Sequence, residues 1–132
     1  MNERVKKARR ILAVQAQMHR AEEWKLAQLQ QRLKQLEASQ RQMIGALNQD
    51  NALHGLFIDT MAKYLQVLTE QAGDVARQID VQLPRTLAEA ARLRGAERLL
   101  RNVTEQVQRT GDRKDLLDIV ERFLDRAGTS LP

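Results

Sequence analysis

Apolar residues recur in this chain at the spacing of a helix seam. Leu26, Leu29, Leu33, Leu36, Gln40, Met43 and Leu47 follow one another at intervals of three and four, with Gln40 as one polar interruption. Almost everything between them is polar. A stripe this narrow covers a partner helix but cannot enclose a globular core. The stretch 2–47 carries no proline, and its one glycine is Gly45 near the end. Asn2 is a weak candidate cap. Upstream of Leu26 the seam falters. Continued backwards it lands on Glu22, His19 and Gln15, whereas Ile11, Val14, Met18 and Ala21 offer a shifted apolar stripe. A stutter near residues 18–25 is the expectation, with Trp24 covering the flank of the seam.

A second seam of matching phase runs through Ile58, Met61, Leu65, Leu68, Ala72, Val75 and Ile79. The turn formers Asn48, Gln49, Asp50, Asn51 and Gly55 separate the two, so a turn is placed at 48–56. His54 lies in it with no other ligand type at metal spacing. Beyond Ile79 the apolar positions shift to Leu83, Leu87, Ala90 and Leu93, a slip that coincides with Pro84. Proline removes a backbone bond and clashes with the preceding turn, so a kink near Pro84 is expected. Glu37/Arg41, Glu97/Arg101 and Glu105/Arg109 are helix-stabilising pairs four residues apart. Thr110, Gly111 and Asp112 read as a stop and a new start, with Gly111 at a C′ position and Asp112 as N-cap. A last helix over about 113–127 has a wider stripe: Leu116, Leu117, Val120, Phe123, Leu124 and Ala127.

The predicted fold class is therefore all-α. Two long helices (about 3–47 and 57–109) form an antiparallel coiled-coil hairpin within one domain, 1–132, and a short C-terminal amphipathic helix either folds back or docks on another protein. At about 1.5 Å per residue each arm is on the order of 70–80 Å long.

Composition fits this reading. Four aromatics in 132 residues, Trp24, Phe57, Tyr64 and Phe123, are few for a compact globular core. The absence of cysteine excludes disulfides and thiolate metal sites. No apolar run is long enough to span a membrane, and none follows the charged start as a secretory signal would require. No phosphate-binding, dinucleotide-binding or metalloprotease motif occurs, so the chain reads as a non-enzyme with no cofactor and no metal.

Net charge is +5, unevenly placed. Residues 1–10 hold five basic side chains against Glu3, and 85–109 hold six arginines against three glutamates. Antiparallel pairing brings Arg4, Lys6, Lys7, Arg9 and Arg10 beside Arg92, Arg94, Arg98 and Arg101 at the open end of the hairpin. A partner of opposite sign is implied there. Nucleic acid is not the expected partner, because the few aromatics are not interleaved with the basic residues.

This pattern resembles the FliJ-type central stalk of flagellar type III export, related to the injectisome YscO-type stalks. The resemblance covers most of the chain. It rests on the two unequal arms, the polar turn, the segment Ala62-Lys63-Tyr64-Leu65-Gln66-Val67-Leu68-Thr69-Glu70, and the basic stretch Arg92-Leu93-Arg94-Gly95-Ala96-Glu97-Arg98-Leu99-Leu100. It implies a stalk seated in a hexameric export ATPase and touching the cytoplasmic domain of the export gate, with export chaperones as further partners. It also implies a cytoplasmic location at the inner membrane, with only indirect membrane association. The positions matching the gate contact are Tyr64, Leu68, Gln71 and Val75; the basic set Arg4, Lys6, Lys7, Arg9, Arg10, Arg94, Arg98 and Arg101 becomes the surface toward the ATPase. Other functions left open are an injectisome stalk, a coiled-coil adaptor or dimerisation protein of another system, and a nucleic-acid-binding helical hairpin.

Overall fold

A computed structural model describes residues 2–49 and 54–130. They form two helices, α1 (Glu3–Leu47) and α2 (His54–Ser130), with no strand among the described residues. Asn2 caps α1: its Oδ1 accepts from the Arg4 amide at 2.8 Å, satisfying one of the first-turn donors that have no partner inside the helix. At the other end the Asn48 amide reaches the Ile44 carbonyl at 3.1 Å, and the Gln49 amide reaches Ala46 at 3.2 Å. The expected turn at 48–56 falls partly outside the described residues, at 50–53. Its later part differs from expectation, since α2 begins at His54 and takes in Gly55.

The chain divides into two compact units. A central unit comprises Gln17–Ala91, and a terminal unit combines Met1–Ala16 with Arg92–Pro132. In the central unit the helices run antiparallel: Glu22 meets Gln82 and Thr86, while Gln40, further along α1, meets Thr69, earlier in α2. The core is Leu36, Leu68, Ala72 and Val75, with Leu29, Leu33 and Ile79 packed against it. Burial of a leucine such as Leu36 or Leu68 contributes on the order of 1.5–3 kcal/mol. These residues sit at the seam spacing read from the sequence.

The seam does not shift where apolar residues run out. On α1, His19 and Glu22 stay half-buried in phase with Leu26, while Met18, Ala21 and Trp24 are exposed. The expected stutter is absent, and Trp24, 64% exposed, does not cover the flank of the seam. On α2, Gln82, Thr86 and Glu89 are buried in phase with Ile79, and Leu83 and Leu87 are exposed. The expected slip at Pro84 therefore does not occur, and α2 continues as helix through Pro84. The physical reason lies across the seam. Gln82 Nε2 donates to the Glu22 main-chain carbonyl at 3.2 Å, to the Glu22 carboxylate, and to Thr86 Oγ1 at 3.3 Å. Thr86 Oγ1 lies 3.3 Å from the same carbonyl and 3.1 Å from that of Gln82. Polar groups that satisfy one another can be buried without loss, so the helices keep their phase.

In the terminal unit Val5 and Ala8 of α1 and Ala96 and Val103 of α2 are buried. Arg4 Nη2 donates to Gln106 Oε1 at 3.1 Å. Val107 is the last half-buried residue of α2, and residues 108–128 are all exposed. The expected stop at Thr110–Asp112 and a separate helix over 113–127 are not found: α2 runs through Gly111 to Ser130, and no glycine described has positive φ. A glycine inside a helix costs only about 1 kcal/mol relative to alanine. Thr110 Oγ1 bonds back to the Gln106 carbonyl at 2.9 Å instead of capping a new turn.

Candidate interaction surface

The eight basic residues singled out from the sequence all fall in the terminal unit, and all eight are exposed. That unit holds fourteen basic and eight acidic residues, a net +6, whereas the central unit holds eight and nine, a net −1. The excess of positive charge is thus confined to one unit. Arg4, Lys7, Ala8 and Ile11 of α1 share a shallow depression with Leu99 and Val103 of α2. A neighbouring one is lined by Lys7, Arg10, Ile11, Val14 and Gln15. Ile11 and Val14 are 37% and 54% exposed, so apolar side chains stand among the basic stems. Arg4 also joins Gln106, Arg109, Thr110 and Arg113 around a third depression.

Arg109 and Arg113 are absent from the basic set chosen by sequence. The expected stop at Gly111 placed them on different elements. In a continuous helix they are one turn apart on one face, and that four-residue spacing was the available signal. Arg109 also lies 4.0 Å from Glu105, an exposed pair whose effect on stability is small.

The positions matched to the gate contact divide. Leu68 and Val75 are buried in the core of the central unit, because both occupy seam positions. Tyr64 is 50% exposed and Gln71 is exposed. Val67, at 45%, lies between them on the same flank and was not in the set. Phe57, 58% exposed, is one further pair of turns back toward the start of α2. The accessible surface here is thus Phe57, Tyr64, Val67 and Gln71.

One carboxylate is electrostatically distinct. The hydrogen bond from Gln82, with the nearby charge of Lys25, holds the Glu22 carboxyl below its ordinary range. Lys25 Nζ lies 3.6 Å from it. Close by, His19 Nδ1 and Glu23 Oε1 are 2.8 Å apart.

Among the described residues no cluster of three or more His, Cys, Asp or Glu could hold a metal ion, and no described helix is long and apolar enough to cross a membrane. No protein-family model matches this chain, and no curated protein or solved structure is significantly similar to it.

Proposed function

We propose that the chain is a non-enzymatic stalk subunit of a flagellar-type protein export apparatus, whose basic terminal unit binds a hexameric export ATPase. The observation that carries this reading is the charge segregation: net +6 in the terminal unit against −1 in the central unit. A uniformly solvated helix pair has no need of it, whereas a subunit that addresses an acidic ring with one part and another component elsewhere does. The resemblance to FliJ-type stalks supports the identity of the ring. In this account Arg4, Lys6, Lys7, Arg9, Arg10, Arg94, Arg98 and Arg101 face the ATPase, together with Arg109 and Arg113, which line a depression with Arg4. Phe57, Tyr64, Val67 and Gln71 face the cytoplasmic domain of the export gate, at the inner membrane's cytoplasmic side.

The test is ATP hydrolysis by the purified ring with and without the chain. Stimulation by the wild type, lost in Arg94→Glu/Arg98→Glu/Arg101→Glu with helicity retained, supports the reading. Unchanged stimulation by the reversed chain removes it. Binding to duplex DNA that weakens steeply with salt, together with indifference to the ring, favours the nucleic-acid reading instead.

A further inference from the structure

The three depressions of the terminal unit run in series. The first holds Lys7, Arg10, Ile11 and Val14 of α1. The second shares Lys7 and Ile11 with it and adds Arg4, with Leu99 and Val103 of α2. The third shares Arg4 and adds Arg109 and Arg113. Together they make one groove, apolar toward Val14 and basic toward Arg113. Its apolar walls are Ile11 and Val14 on α1 and Leu99, 40% exposed, on α2. Five positive charges line the groove and no acidic side chain does. Glu105, 4.0 Å from Arg109, offsets one of them.

An occupant has to cover the apolar walls and bring negative charge, in that order along the groove. From Leu99 to Arg113 is fourteen residues, or about 21 Å of helix. A partner helix of similar length spans it. Such a helix buries its own apolar stripe against Ile11, Val14 and Leu99, as helices in grooves do. Its carboxylates meet Lys7 and Arg10 at the rim and the three arginines at the end, whose forked donors match carboxylates in pairs. Nucleic acid supplies the negative charge but leaves the apolar walls in water. An anionic bilayer supplies both, but Ile11 and Leu99, 37% and 40% exposed, are recessed in a concave surface that a flat membrane face does not enter.

We propose that this groove is a docking site for an acidic amphipathic helix of a partner protein. The proposal does not rest on the ATPase reading, since it concerns what the groove accepts whichever protein supplies the helix. Its test is fluorescence anisotropy of a labelled peptide of about fourteen residues, titrated with the full chain. The peptide carries leucines on one face, glutamates beside them and an acidic end. A peptide of the same composition, with its leucines dispersed around the helix, is the control. Saturable binding of the first, several-fold tighter than the second, is expected. Val14→Glu and Arg109→Glu/Arg113→Glu should each weaken it several-fold with helicity retained. Arg98→Glu/Arg101→Glu makes the same charge change as that double variant outside the groove, and should leave binding nearly unchanged. Equal binding of the two peptides, or equal loss in the two arginine double variants, reduces the attraction to net charge and overturns the proposal. Binding to phosphatidylglycerol vesicles without binding to the first peptide overturns it as well. Specific peptide binding by a chain that leaves the ATPase unstimulated removes the ATPase reading and upholds this one.

Discussion

Gln82 sits against Glu22 across the helix–helix seam, donating from Nε2 to the Glu22 main-chain carbonyl at 3.2 Å and also to its carboxylate. This contact lets the central unit keep its register through a stretch with no leucine on the seam. It also makes the stretch sensitive to acid. The folded-state pKa of Glu22 is lowered from its ordinary value of 4.5. Its contribution to stability is therefore complete above that value and is lost as pH falls through the lower folded value. Urea unfolding at neutral pH should show Glu22→Gln less stable than wild type, and the difference should shrink well below pH 4.5. A difference independent of pH would mean that the ionised carboxylate does not matter there.

Leu68 and Tyr64, one turn apart on α2, should respond in opposite ways to truncation. Leu68 is 4% exposed in the core, and Tyr64 is 50% exposed on the flank. Leu68→Ala should cost about 2–4 kcal/mol of stability through lost burial and the cavity left behind. Tyr64→Ala should cost about 0.5 kcal/mol or less, yet weaken binding to the gate domain several-fold if the ring is a partner anchor. Denaturant titrations of the two variants, set beside their affinities for that domain, separate the roles.

Gly111 provides a local check on the continuous α2. An added Cβ meets nothing within 4 Å there, and its φ is not positive. Gly111→Ala should therefore stabilise this part of α2 by up to about 1 kcal/mol, read as slower amide exchange around residues 105–118. A glycine at a left-handed C′ position would give the reverse, with faster exchange after substitution.

Periodicity carries the all-helical class and most of the apolar seam, although Ile58, its expected first residue on α2, is exposed. It misled where the seam is polar. Between residues 15 and 22, and again between 82 and 89, periodicity favours the stripes Ile11, Val14, Met18, Ala21 and Leu83, Leu87, since each is the nearest apolar continuation. The helices instead hold their phase, because Glu22, Gln82 and Thr86 satisfy one another across it. Only the pairing of two distant segments reveals that, and one-dimensional spacing does not contain it. In the tail the departure from expectation has a local cause. Thr110, Gly111 and Asp112 favour a stop, but no packed element draws the chain aside there, and one glycine is too small a cost to end a helix. A stop at Gly111 would also separate Arg109 from Arg113, whereas the continuous helix keeps them on one face. Leu68 and Val75 match the gate contact by resemblance, but their spacing places them on the seam, where they are buried.

The claim that one unit of this chain is built to address the ATPase is tested most directly by position-specific photocrosslinking. A photoreactive side chain is placed singly at Lys7, Arg98 or Arg113 in the terminal unit, and at Asp59 or Gln71 in the central unit. The chain is then mixed with the hexameric export ATPase. The account predicts covalent adducts with the ATPase from the first three positions and none from the last two. Adducts of equal yield from both groups, or from Asp59 and Gln71 alone, would contradict it.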